Sequence, residues 1–230
     1  MASDYEDLNL EKEEKIATVT LNRPDKLNAI SPGLLQELDD VIEELWNDDD
    51  INVIIFRGAG GNFSSGADLE EQTGKMEDIR RGQRTFEKLK VIPKIVVAAT
   101  EGYVLGGGLE LASACDLRVA KEDAQFDFPE PGLGIIPGWG GTQRVPKLIG
   151  ISKAMELCLT PDKIDAEEAE RHGLVSRVYS EDEFEDKLEE FAQELAEVPP
   201  SSAKILKRAV NKGGEVPSDV GLELENFGLM

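Results

Sequence analysis

The chain has 230 residues, an apolar fraction of 40% and a formal net charge of −22, with 47 acidic against 25 basic residues. Such a length and apolar content suffice for one large domain or two small ones with a sizeable core, and they exclude a disordered chain. No stretch approaches the ~18 uninterrupted apolar residues of a membrane span, the acidic start at residues 1–7 lacks the basic and apolar regions of a secretory signal, and so acidic a surface is a poor partner for nucleic acid or membrane.

Residues 15–21, Lys-Ile-Ala-Thr-Val-Thr-Leu, alternate and predict a strand that ends at Asn22-Arg23-Pro24. Ser31-Pro32 supplies an N-cap and a proline at the first helical position. Leu34, Leu35, Leu38, Val41, Ile42 and Leu45 then recur on one helical face. Ile51 to Phe56 is a buried strand, followed by a glycine- and serine-rich loop over 58–66. A polar stretch from Glu70 to Arg81 precedes a helix to Lys90, which Pro93 stops. Lys94 to Thr100 is another buried strand, and glycines 106–108 lead into a helix ending near Cys115. Short strands follow at 116–120 and 125–128, then a glycine-rich loop over 132–141. From Gln143 the chain is mostly helical, apart from a strand over 174–179. The strand-strand-helix alternation predicts an α/β fold with parallel strands and a helical tail.

Three loops share a backbone bared by glycine: residues 63–68, 102–110 and 128–134. Taken singly, each reads as a tight turn. The first two follow strands and precede helices, and a helix start presents free N–H groups that glycine lets a ligand approach. Two such groups converging on one point make an oxyanion hole. A Walker loop is absent, no Gly-x-Gly-x-x-Gly opens a dinucleotide-binding unit, and a single histidine without Gly-x-Ser-x-Gly leaves no serine triad. His172 reads as a helix end before Gly173. Counting excludes metal sites rich in histidine or cysteine. Glu110 and Glu130 each stand beside a bared backbone, and a pair of carboxylates near an oxyanion hole can share a water, their proximity raising the pKa of one of them. Paired carboxylates also suit a glycosidase, but that chemistry has no use for an oxyanion hole. Cys115 and Cys158 read as buried thiols, which fits a reducing cytoplasm.

The acidic excess is spread along the chain, as in Glu37, Asp39, Asp40, Glu43 and Glu44, and again from Glu181 to Glu190. Most of these are a solvated surface. Their number suits a salt-rich cytoplasm, where a short Debye length screens their mutual repulsion.

Taken in order, the motifs resemble the crotonase, or enoyl-CoA hydratase/isomerase, family. The matching residues are Asn22-Arg23-Pro24 with Leu27-Asn28-Ala29, then Phe63-Ser64-Ser65-Gly66-Ala67-Asp68-Leu69. Gly102-Tyr103-Val104-Leu105-Gly106-Gly107-Gly108-Leu109-Glu110 follows, with Cys115-Asp116. Pro129-Glu130, Gly132-Leu133-Gly134, Pro137-Gly138, Gly140-Gly141-Thr142-Gln143-Arg144, Ala169 and Gly173-Leu174-Val175 complete the set. The resemblance runs from about residue 15 to 213, and the ordered set is far more specific than any one motif. It implies a spiral of strand-strand-helix turns over 1–198 with a helical region over 199–230. It also implies that the Ala67 and Gly107 N–H groups form the oxyanion hole and that Glu110 and Glu130 hold a catalytic water.

An acyl-CoA would then bind along Arg23, Lys26, Ala29, Ser65, Gly66, Ala67, Asp68, Leu69, Gly106 and Gly107. Coenzyme A would be part of the substrate, with no metal or redox cofactor required, and the chain would assemble as a homotrimer or hexamer. Both glutamates together favour hydration of a 2-enoyl-CoA over isomerisation; a non-catalytic acyl-CoA-binding protein is the alternative of another class. Two departures stand out. Glu70 occupies a position where many hydratases of the family carry a lysine near the CoA phosphates; Arg23, Lys26 and the cluster Arg80-Arg81-Arg84 are candidate substitutes, the cluster reading first as a solvated helix face. The chain also ends about 25–30 residues before many relatives do.

Overall fold

A computed structural model describes residues 5–72 and 76–228. Nine strands and nine α-helices are described, in the order β1 (Leu8–Glu13), β2 (Ile16–Leu21), α1 (Pro32–Trp46), β3 (Val53–Gly58), α2 (Met76–Val91), β4 (Ile95–Thr100), β5 (Tyr103–Leu105), α3 (Gly107–Ala114), β6 (Leu117–Lys121), β7 (Gln125–Asp127), α4 (Gly141–Ile149), α5 (Ile151–Leu159), β8 (Ile164–Asp165), α6 (Ala166–His172), β9 (Arg177–Tyr179), α7 (Phe184–Ala196), α8 (Pro200–Gly213) and α9 (Ser218–Gly228). Helix α1 begins where the sequence places it: the Ser31 hydroxyl accepts the Leu34 N–H at 3.0 Å and all six periodic residues are buried.

The main sheet has the order β1-β2-β3-β4-β6-β9 and is parallel except for the β1–β2 hairpin. After each of β2, β3, β4 and β6 the chain turns aside into a short extended segment before entering a helix. These segments pair with one another as a second wall: Ile30 bridges Ala67, Ser64 bridges Val104, and β5 pairs with β7 in parallel. The result is a spiral of strand-strand-helix turns. It explains why the sequence alternates without repeating, since only the pairing geometry recurs.

Both faces of the sheet are buried, as parallel strands require. Ile54, Phe56, Val96 and Ala98 face the main core, while Val53, Ile55, Val97 and Val119 pack under Phe184, Leu188 and Phe191 of α7. Helix α8 has no buried residue of its own. It is held by Lys207, whose Nζ reaches Asp116 at 2.7 Å and donates to the carbonyls of Leu89 and Lys94.

Three expectations change. Helix α2 starts at Met76, earlier than the end of the polar stretch at Arg81, because Ile79, Gly82, Phe86 and Leu89 form an inward stripe among charged residues; residues 73–75 of that stretch lie outside the described ones. The last strand is confined to Arg177–Tyr179, since Leu174 and Val175 fold back on α6 through the Ala169 carbonyl. Cys115 is buried but Cys158 is partly exposed on α5, and both are free thiols. His172 ends α6 before Gly173, whose φ is +82°.

Candidate active site

Ala67 lies in the second wall. Ile30 uses both its polar backbone groups on the flanking residues: its N–H donates to Gly66 O at 2.7 Å and its carbonyl accepts from Asp68 N at 3.0 Å. The Ala67 N–H therefore points away from Ile30, and no acceptor for it occurs among the described residues. Gly107 is the first residue of α3, in the turn whose N–H groups a helix leaves unsatisfied. A Cβ on Gly66 would fall 3.1 Å from Gly107 N, and one on Gly107 would fall 3.2 Å from Ala67 N. Gly66 (φ +101°) and Gly106 (φ +48°) also need left-handed backbone. Glycine is thus what brings the two donors together. This corrects the expectation that both donors come from helix starts. Ala67 is presented by a β-bridge, and α2 begins nine residues later.

The loop is fixed from beneath. Ser64 Oγ donates to Asn28 O at 2.8 Å and accepts from Gly66 N at 3.1 Å. Buried Asn28 donates to the carbonyls of Ala59 and Asn62 and accepts the Arg23 N–H. The Asn22-to-Ala29 motif therefore braces the oxyanion loop.

Glu110 stands in the first turn of α3, 2% exposed. Its Oε1 accepts the N–H groups of Trp139 and Gly141, each at 2.7 Å. Burial raises its pKa even against those two bonds and the nearby Arg144. Arg144 ties the 138–141 loop to α3 by donating to the carbonyls of Trp139 and Glu110 and to Ser113 Oγ. Glu130 opens the turn after β7, and its carboxyl lies directly over Gly106, where an added Cβ would fall 2.6 Å from Oε1. Burial, with Glu110 and Asp127 close by, pushes its pKa up to about 7. Both glutamates therefore border the same end of α3 that carries Gly107.

Glu130 Oε2 and Asp127 Oδ1 are buried without a hydrogen-bond partner among the described residues. Asp127 was not singled out in the sequence. Its one signal is a carboxylate between two phenylalanines, Phe126 and Phe128, in a strand of three residues.

Residues 11–227 match the enoyl-CoA hydratase/isomerase family. The chain belongs to that family. Among its relatives, the short-chain-enoyl-CoA hydratase of Clostridium acetobutylicum is 41% identical over 224 residues, covering 94% of this chain and 85% of the relative. The crystal structure of an enoyl-CoA hydratase from Bacillus anthracis superposes with a TM-score of 0.93 at 35% identity, covering 97% of this chain and 90% of that one. A Thermobifida fusca structure solved with acetoacetyl-CoA has a TM-score of 0.90 at 30% identity, covering 97% of this chain and 93% of that one.

Within this enoyl-CoA hydratase/isomerase framework, the residues matched to the CoA side divide. Ser65, Gly66, Ala67, Gly106 and Gly107 cluster at the two donors, with Ala29 buried behind them and Leu69 exposed. Asp68 is turned inward. Arg23 donates to it at 3.0 Å, and it accepts the Glu70 and Glu71 N–H groups. Burial opposes its ionisation, but these donors outweigh it and hold the carboxyl below its ordinary value. Arg23 also pairs with Glu71 at 2.7 Å, and Lys26 with Glu70 at 3.2 Å. Arg23 and Lys26 are thus both engaged by the acidic residues Asp68, Glu70 and Glu71 of this loop. Arg80, Arg81 and Arg84 on α2 make no ion pair among the described residues.

Proposed function

We propose that the chain hydrates the 2,3 double bond of enoyl-CoA thioesters. The observation that carries this reading is the convergence of Glu110 and Glu130 on the end of α3 that holds Gly107, opposite Ala67. The thioester oxygen would rest between the Ala67 and Gly107 amides, which makes C3 electrophilic and stabilises the enolate; a donor of this kind is worth ~3 kcal/mol. Glu110, anchored through Oε1, offers its second oxygen to the attacking water and takes its proton. Glu130, protonated up to pH about 7, steadies the same water and delivers a proton to C2. The related hydratase names and the acetoacetyl-CoA complex of a relative support an acyl-CoA substrate. Arg23 and Lys26, beside the oxyanion loop, are the cations we assign to the CoA phosphates, exchanging Glu71 and Glu70 for the ligand. Incubation with crotonyl-CoA should yield 3-hydroxybutyryl-CoA. Isomerisation of a 3-enoyl-CoA without hydration would favour the sister activity, and CoA binding without turnover at any salt would favour a binding protein.

We further infer a salt-rich cytoplasm and a homo-oligomer, a trimer or a pair of trimers. The −22 charge and a polyanionic ligand both call for screening, so thermal stability and turnover should rise between ~0.1 and ~2 M KCl as the Debye length shrinks. Equal values at the two salts would remove the first inference. Leu133, Ile135 and Ile136, with Ile151, Met155 and Leu159 of α5, expose apolar surface that assembly would cover. Light scattering that gave a monomer mass at micromolar protein in high salt would remove the second. No helix among the described residues is long and apolar enough to cross a membrane.

A further inference from the structure

The indole of Trp139 occupies an unusual place. It is 5% exposed and inserts between α2 and α3, against two glycines. A Cβ on Gly107 would fall 2.5 Å from the benzo edge, and a Cβ on Gly82 would fall 2.5 Å from the pyrrole side. Phe86 meets the ring edge-to-face with centroids 5.6 Å apart. The slot is therefore cut to the indole, with a glycine on each wall where any other residue would collide. The backbone N–H of the same residue holds Glu110 Oε1.

This position adjoins the reacting atoms on the acyl side. The Cβ point that meets the benzo edge lies 3.2 Å from Ala67 N, so the ring and both oxyanion donors border one small volume. With the thioester oxygen on those donors and C3 at the glutamates, an acyl chain that runs on past Glu110 meets the slot between α2 and α3. The large apolar group adjoining both Glu110 and Gly107 there is the indole.

We propose that Trp139 is the specificity-determining residue that closes the acyl site, restricting this chain to short acyl-CoA thioesters. The inference rests on the hydratase reading for its kinetic test but has a binding test of its own. Removing the indole leaves an apolar slot lined by Gly82, Phe86 and Gly107 that a longer acyl chain can enter. Each methylene admitted or refused by an apolar pocket changes selectivity by about 10–200-fold.

The experiment measures kcat/KM for 2-enoyl-CoA thioesters of four and ten carbons, and calorimetric affinity for butyryl-CoA and octanoyl-CoA, in the parent, Trp139→Leu and Trp139→Ala. The parent should favour the short ligand in both measurements by at least about 10-fold. The variants should raise the long-to-short ratio by at least about 10-fold, the alanine variant more than the leucine one. A parent that takes the ten-carbon substrate as well as crotonyl-CoA overturns the proposal, and the parent alone decides this if a variant fails to fold. So does an unchanged ratio in a folded variant. A parent without hydration that still prefers butyryl-CoA would sink the hydratase reading and leave the role of Trp139 standing.

Discussion

Replacing Glu110 by glutamine isolates its chemistry from its structural part. The two N–H groups of Trp139 and Gly141 converge on Oε1 at 2.7 Å, and only an oxygen can accept them, so a glutamine must place its carbonyl there and its amide toward the substrate. The fold keeps both bonds and loses a buried charge that burial already disfavours. What disappears is the group that takes a proton from water, a loss of about 10²–10⁴ in rate. Glu130→Gln should cost a similar factor. The double variant is the informative one. If both carboxyls act on one water, its rate should lie within ~10-fold of the worse single variant, because groups acting as a unit are far from additive. Stopped-flow absorbance of the enoyl thioester, with calorimetric CoA binding as a control, measures all four proteins. Strict additivity would refute a shared water. Loss of 3-enoyl-CoA isomerisation in Glu130→Gln, with its retention in Glu110→Gln, would indicate isomerase chemistry.

The activity should also report Glu130 through pH: kcat/KM should fall above pH about 7, as the proton donor is lost, and Asp127→Asn should move that limb to lower pH because the Asp127 charge helps hold the proton. Because folding raises this pKa from 4.5, its contribution to stability is full below the unfolded value and lost as pH rises through about 7, so the parent should lose thermal stability relative to Glu130→Gln over that interval. Lys207→Met should destabilise the protein by about 1–3 kcal/mol in guanidinium titrations by leaving the partly buried Asp116 with the Val96 N–H but without its cation, and a change within ~0.5 kcal/mol would show that α8 is held by other contacts.

Elements with strong periodicity were legible in the sequence. Helix α1 announces its cap at Ser31 and its apolar stripe, and β3 and β4 are apolar because both their faces are covered. Strand β1 was missed because it is an edge strand with charged residues and little burial, and β5 and β8 because two or three residues carry no period. In the site, the glycines and glutamates could be picked out because close backbone approach and acid–base chemistry demand those residue types. Ala67 could be named only through the resemblance, since its role comes from a bridge to Ile30 that is 37 positions away. The pairing of Arg23 with Asp68 and Glu71 and the burial of Asp127 were hidden for the same reason: each depends on which turns of the spiral stack together.

The most direct test of the hydration mechanism is incubation with crotonyl-CoA in oxygen-18-labelled water, with mass spectrometry of the thioester. The arrangement of Ala67, Gly107, Glu110 and Glu130 predicts 3-hydroxybutyryl-CoA bearing one solvent-derived heavy oxygen at C3, with incorporation lost in Glu110→Gln. Unlabelled crotonyl-CoA recovered intact from the folded parent, or equal incorporation by parent and Glu110→Gln, would contradict it.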